Sequence, residues 1–244
     1  MIEIRREEMR NAATLRNAYD SIYHGPGINL GDSFYLWLIG LLKPNRGRLL
    51  VDISCGEGRL VALARQQGLR AIGTDFSMAA LTKGKLNDPS SGFILADGEC
   101  LPFPTACADY ITHIGSLEHY LHPQLGAAEI ARLLKVGGRA CVLLPNAFGL
   151  LGNIPYVLRH GEVFDDGQPL QRYATHQTWC RLLQKAGLAV ERVVGYNEMQ
   201  RPRTCADARA LLAHPRKWLR ALMLPLIPLN LSNHLVFLCR REAE

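Results

Sequence analysis

The sequence predicts an α/β chain built on a doubly wound, mostly parallel sheet, and three observations carry that reading. From Leu49 onward, short apolar runs alternate with helical patterns, the rhythm of repeated strand-helix units covered on both faces. The first run, LLVDISCGEGRL, passes from an apolar strand through a glycine-rich turn into a helical segment. Such a turn brings backbone N–H groups close to a polar ligand. Past residue 174, one more helix and two more strands extend the pattern.

Two helical patterns come first, over residues 5–19 and 31–42, the second ending before Pro44. The loop YHGPGINLG joins them. The alternation then runs LLVDI, RLVALARQQG, LRAIGTD, SMAALTKGKL, GFILAD, ADYITHI, PQLGAAEIARLLK and RACVLLP. After Pro145 it breaks. Residues 146–174 hold two prolines and four glycines with no sustained period, so they read as an insertion rather than a core element. Thr175 is placed to cap a helix that stops at Gly187. The strand LAVERVVGY follows, and SNHLVFLCRR closes the chain. With no repeat or linker in view, residues 1–244 are expected to form a single domain.

Composition narrows the classes. The 244 residues are 48% hydrophobic and 20% charged, enough to bury a sizeable core. Seven cysteines lie scattered without a C-x-x-C pair, which reads as reduced thiols in a cytosolic protein. The start, MIEIRREEMRNAA, is charged where a signal peptide needs an apolar stretch, and no run approaches the roughly 18 apolar residues of a spanning helix. A cytoplasmic location is therefore expected. The net charge of +6 is dispersed apart from short clusters such as RPR at 201–203, and is read as surface charge rather than a nucleic-acid footprint.

The first strand-to-helix turn lies where such a sheet takes its ligand. A dinucleotide turn wants G-x-G-x-x-G; here the third glycine is missing and Asp52 stands ahead of Gly56 and Gly58. An acid there is unfavourable beside a pyrophosphate and favourable beside an ammonium group. The stretch resembles the first motif of the class I S-adenosylmethionine-dependent methyltransferases, a strand ending in D/E-x-G-x-G-x-G, with Ser54 in place of the first glycine. Four later strand ends agree with it. LRAIGTDFS ends at Asp75, with Phe76 beside it; GFILADGECLPFP resembles the family's D-A-E-x-L-P-F; ADYITHIGSLEHY resembles its strand ending near L-E-H; and RLLKVGGRACVLLPN resembles its L-K-P-G-G turn.

The resemblance covers residues 48–145 well, and more loosely the helix and strands after Thr175. It implies a Rossmann-like sheet with an antiparallel C-terminal strand, N-terminal helices and an insertion after the fifth strand. It also implies S-adenosyl-L-methionine as cofactor. Asp52, Ser54, Gly56 and Gly58 would shape the methionine end, Asp75 would accept from the ribose hydroxyls, and Asp97 with Gly98 would meet the adenine. Gly115 would lie close to the methionine. The parts are then a helical cover (1–47), a cofactor-binding core (48–145), a substrate-side insertion (146–174) and a C-terminal section (175–244).

Methyl transfer from a sulfonium needs alignment and exclusion of water, and a hydroxyl acceptor also benefits from a general base. The segment after the fourth strand offers Glu118, His119 and His122, with His113 inside the strand. His119, beside Glu118, is the favoured base; a purely structural role stays open. Quinone-biosynthesis O-methyltransferases, which this segment resembles, carry an acid three residues before the glutamate; here that position is Gly115, so no metal is expected. The (N/D)-P-P-(Y/F/W) loop of base-methylating enzymes is absent. A small molecule, lipid precursor or glycan unit is left as acceptor, with O-methylation the leading chemistry.

Tyr19, Tyr23, His24, Arg172, Tyr173 and His176 are candidate substrate contacts, since the family commonly closes over its ligands there. The run KWLRALMLPLIPLNL, residues 217–231, combines basic, aromatic and apolar residues. It is read as a cover over the sheet edge or a dimer contact, with peripheral membrane contact as the other reading. Two further functions stay open: a non-catalytic module that keeps the cofactor pocket, and a nicotinamide-dependent oxidoreductase.

Overall fold

A computed structural model describes residues 1–6, 11–25, 27–28, 30–198, 203–205, 208–209 and 224–242. Residues 217–223 of the run 217–231 therefore lie outside the described residues, as does most of the RPR cluster. In chain order the elements begin with β1 (Ile2–Arg5), α1 (Ala12–His24), α2 (Asp32–Leu41), β2 (Leu49–Ile53), α3 (Arg59–Gln66) and β3 (Arg70–Asp75). They continue with α4 (Met78–Asn87), β4 (Gly92–Leu95), β5 (Ala108–Ile114), α5 (Pro123–Leu133) and β6 (Leu134–Pro145). Last come α6 (Asn153–His160), β7 (Leu170–Tyr173), α7 (His176–Lys185), β8 (Leu188–Tyr196) and β9 (His234–Arg241).

Seven strands form the main sheet in the order β4-β3-β2-β5-β6-β9-β8. The pairs among β4, β3, β2, β5 and β6 are parallel, and β9 runs antiparallel to both β6 and β8. The strand order reverses beside β2, so the crevice between the carboxyl ends of β2 and β5 is where ligands enter such sheets.

Period-2 alternation sorts the strands' side chains into two cores. Val51 and Ile53 of β2 face one cluster with Ala140, Val142 and Leu144 of β6, under α5 and α7. Leu50, Cys141 and Leu143 face the other, under α2 and α3. Two faces each covered by helices explain why these strands read as near-continuous apolar runs. Trp179 of α7 is fully buried and donates its indole N–H to the carbonyl of Pro145 at 2.8 Å, satisfying its one polar group. Thr175 caps α7 by accepting from Thr178 N–H.

Four segments differ from the sequence reading. The first helix is not residues 5–19: Ile2–Arg5 is a strand paired antiparallel with β7, and the helix spans Ala12–His24, capped by Asn11. A four-residue strand carries little pattern of its own and exists because a distant partner receives it. The insertion 146–174 is not featureless, since it contains α6 and the wholly buried β7. The segment LKVGG is not a turn before the strand. It is the opening of β6, where pairing with β5 jumps from Ala108↔Leu134 to Tyr110↔Arg139 and Gly137 takes φ +77°; only glycine adopts that angle at little cost. GFILAD is shorter than expected, its strand ending at Leu95. No helix among the described residues is long and apolar enough to cross a membrane.

Candidate active site

The turn after β2 is built by left-handed backbone: Ser54 at φ +55°, Gly56 at +55° and Gly58 at +73°. Asp75, at the end of the neighbouring β3, ties it down. One of its carboxylate oxygens accepts from Gly56 N–H at 2.8 Å and the other from Ser77 N–H at 2.9 Å. Burial pushes its carboxyl up to about 6, against the pull of those two bonds. Asp52 is 3% exposed and accepts from the Thr112 hydroxyl at 2.6 Å, binding β2 to β5 beneath the turn. Its carboxyl is pushed up to about 7 by burial. Asp52 lines neither cavity described below, so its effect on a ligand passes through the turn it supports.

A cavity with an open volume of about 670 Å³, mouth included, lies over these strand ends. Ser54, Asp75, Phe76, Asp97, Gly98 and Gly115 form its floor. Tyr19 and Tyr23 of α1 form its roof, Tyr19 donating to Gln168 Oε1 at 2.9 Å. The Tyr23 hydroxyl sits 2.7 Å from where a Gly56 side chain would begin, so Tyr23 covers that glycine. Gly58 faces elsewhere: it opens α3 and packs against the Phe93 ring, where a β-carbon would come within 2.3 Å.

Sequence reasoning missed the residue at the centre. Tyr120 donates or accepts at Ser54 Oγ, 2.7 Å away, and at His113 Nε2, 3.0 Å away. Its ring occupies the space beside Gly98, where any side chain would clash at 1.8 Å. Burial raises its phenol well above the ordinary range. Its adjacency to Leu-Glu-His was the available signal.

A second cavity, of about 1160 Å³ with its mouth, adjoins the first. Both are lined by Gly115, His119, Ile28 and Gln168. Glu118, Gln171, Tyr173 and His234 belong to the second. His119 and Glu118 sit on a single 3-10 turn, Leu117–His119, and are 5% and 4% exposed. His119 Nδ1 bonds the carbonyl of Leu170 on β7. A carbonyl can only accept, so Nδ1 carries the proton and Nε2 keeps its lone pair. Burial, helped by Arg172, holds the imidazole below its ordinary pKa, so it stays neutral. Nε2 lies 3.8 Å from Glu118 Oε1, beyond hydrogen-bond reach. Burial pushes the Glu118 carboxyl up to about 8, and its Oε2 has no protein partner.

The remaining candidates divide. Tyr173 lines the second cavity and donates to the carbonyl of Phe164 at 2.9 Å. Arg172 lines neither cavity; its guanidinium donates to Glu3 at 2.7 Å and to the carbonyls of Glu118, Tyr120 and Leu121. It buttresses the turn that carries His119. His24 is exposed at the end of α1, and His176 bonds Asn230 at the start of α7; neither lines a cavity. His113 is buried in β5 and bonded to Tyr120, and His122 pairs with Glu99 at 2.8 Å. Among the described residues no three His, Cys, Asp or Glu side chains gather closely enough to hold a metal.

Comparison with known proteins places this geometry. Residues 51–142 match the family model described as a methyltransferase domain. The chain is 37% identical over 105 residues to the 2-methyl-6-phytyl-1,4-hydroquinone methyltransferase of Spinacia oleracea chloroplasts, covering 41% of this chain and 30% of that one. It is 31% identical over 96 residues to the demethylmenaquinone methyltransferase of Renibacterium salmoninarum, covering 39% and 40%. The chain thus spans well under half the length of these two curated relatives. Among solved structures, the 1,6-didemethyltoxoflavin-N1-methyltransferase of Burkholderia thailandensis superposes with a TM-score of 0.65 at 18% identity, covering 95% of this chain and 89% of that one. That likeness extends the shared fold beyond the matched domain.

Proposed function

From a chain that carries a methyltransferase domain over residues 51–142, we propose an S-adenosylmethionine-dependent methyltransferase that O-methylates a small-molecule acceptor. One observation carries the reading: two cavities, one over the strand ends and one beside it, share His119 and Gly115 as their common wall. A donor and an acceptor held on either side of such a wall meet at one point.

The residues of the first cavity fit the cofactor. Asp75 and Asp97 supply acceptors for hydroxyl and amine hydrogens, and Gly98, Phe76 and Gly115 line the same space. When bound, S-adenosylmethionine supplies an electrophilic methyl group. The chain's own work is then positional and acid-base. His119, neutral and with its Nδ1 proton committed to Leu170, offers Nε2 to an acceptor hydroxyl. Glu118, held largely protonated, leaves the pair uncharged before His119 takes the acceptor's proton. Tyr19 and Tyr23 close the roof against water.

The relatives' names make hydroquinone and menaquinone rings the first acceptors to test. The matched domain, however, ends at residue 142, whereas Asn153, Gln171 and His234 in the second cavity lie beyond it. Calorimetric titration with S-adenosylhomocysteine and NAD(H) in parallel tests the cofactor. Binding of the first alone is expected; binding of NAD(H) alone would overturn the assignment in favour of an oxidoreductase. Binding of S-adenosylhomocysteine without methyl transfer to any extract fraction would favour a non-catalytic module.

A further inference from the structure

The second cavity has a composition of its own. Among the described residues, no lysine or arginine lines it, in a chain whose net charge is +6. Its polar wall is made of side-chain amides and carboxyl groups. Asn146 donates to the carbonyls of Asn230 and Ser232, and Asn153 accepts from Phe164 N–H at 3.2 Å, so these two amides hold the wall in shape. Two other buried oxygens, Glu118 Oε2 and Gln171 Oε1, have no protein partner, and both residues line the cavity. His234 Nδ1, also unpartnered, belongs to the same wall. Buried polar atoms are nearly always satisfied, so three residues with orphan atoms around one cavity point to a ligand that supplies polar groups there.

Aromatic rings line the same cavity. Tyr156 and Phe164 meet edge to face, with ring centroids 5.3 Å apart and planes at 84°, and Tyr173 stands beside them. An anionic acceptor finds carboxyl groups here and no described cation. An isoprenoid acceptor leaves the orphan oxygens buried without partners, which is costly. A cationic acceptor finds no fixed buried charge, because the Glu118 carboxyl is pushed up to about 8 and stays largely neutral near pH 7. Asp166, whose charge reaches both Glu118 and His119, is exposed at the rim. What satisfies amide and carboxyl oxygens and also packs on aromatic rings in one cavity is a ring with many hydroxyls and an apolar face.

We propose that this cavity binds an uncharged, polyhydroxylated ring, a neutral glycosyl unit, held by the polar side chains of Gln171 and Glu118 and packed on the Tyr156, Phe164 and Tyr173 rings. The proposal rests on the methyltransferase reading, and the two fail separately. The test measures binding by ligand-observed NMR to the full chain saturated with S-adenosylhomocysteine. The probes are the methyl glycosides of glucose, mannose, galactose and rhamnose, set against methyl glucuronate and 1,4-hydroquinone. At least one neutral glycoside is expected to bind about tenfold tighter than either control, the order of a lost hydrogen bond or an uncompensated charge. Gln171→Leu should weaken that glycoside about tenfold while S-adenosylhomocysteine binds unchanged. Because Gln171 is buried in β7, Tyr156→Ala on the half-buried face of α6 provides a second variant, also expected to weaken the glycoside. Tightest binding by hydroquinone or glucuronate, or no glycoside binding with S-adenosylhomocysteine still bound, overturns the proposal. Failure to bind S-adenosylhomocysteine instead overturns the cofactor reading beneath it.

Discussion

The two cavities that meet at His119 are built in opposite ways. The first is assembled from consecutive strand ends of one sheet: Ser54 after β2, Asp75 and Phe76 after β3, Asp97 after β4 and Gly115 after β5. Each functional residue there is a few positions from an apolar strand that specifies its place. The second draws on segments far apart in sequence: the 3-10 turn after β5, α6 and β7 of the insertion, and His234 at the start of β9. Its order depends on long-range bonds, above all Leu170 to His119, and Arg172 to the turn and to Glu3. Local repeats make a cavity from the sheet itself, whereas the other takes its wall from segments that only the packed chain brings together.

The comparison is most sharply tested at the shared wall. His119→Ala should lower turnover about 100-fold or more with cofactor affinity nearly unchanged, read by steady-state kinetics beside calorimetry. Because burial holds its pKa below the ordinary value, the wild-type rate should fall only on the acid side of about 6.5, and the variant should lose that limb. Full activity of His119→Ala would remove it as the base, leaving alignment and exclusion of water.

Asp75→Ala addresses the first cavity alone. It should weaken S-adenosylhomocysteine binding by about 1.5–3 kcal/mol, as for a hydrogen bond to a charged group. The carboxyl is raised to about 6, so the wild-type affinity should decline as pH falls through that region and the variant should not follow. Unchanged affinity in Asp75→Ala would remove that residue from the cofactor site.

Arg172→Met tests whether the clasp places the turn. Three backbone carbonyls and Glu3 lose a donor, and roughly a tenfold fall in turnover is expected, with S-adenosylhomocysteine affinity within about twofold of wild type. A fall in cofactor affinity equal to the fall in turnover would show that the two cavities are not separable in this way.

The smallest expected effect concerns stability. Glu118 is raised from an ordinary carboxyl value to about 8, so its folded form is favoured while protonated and that stability is lost as pH rises through about 8. Glu118→Gln keeps the shape without the ionisation. Its melting midpoint should exceed wild type by about 2–4 °C at pH 9, equivalent to roughly 1 kcal/mol in a chain of this size, and by less at pH 5. A larger gain at pH 5 than at pH 9 would contradict the burial argument.

Much of the parallel sheet and the first cavity is legible in the amino-acid sequence, because a buried parallel strand must be apolar throughout and its end is marked by a turn residue. LLVDI and ADYITHI coincide with β2 and β5. Beyond its adjacency to Leu-Glu-His, Tyr120 reads as a packing aromatic; its importance comes from Ser54, His113 and Gly98 converging on it. Arg172 looked like a substrate contact because a lone arginine after a strand has no visible partner until Glu3 arrives from the other end of the chain.

Taken by itself, then, the sequence determined the alternation of strand and helix, the glycine turn with its acids at successive strand ends, and the candidate pair Glu118 and His119. These follow from period, conformational freedom and residue chemistry, which act over a few neighbouring positions. The tertiary structure decided the rest. It paired β1 with β7, committed the Nδ1 proton of His119 to Leu170, turned Arg172 from ligand to buttress, and gathered Gln171 and Glu118, each with an unpartnered oxygen, around one cavity. Each of those outcomes joins residues tens or more than a hundred positions apart, and a buried polar group takes its partner from whatever the packed chain brings within reach.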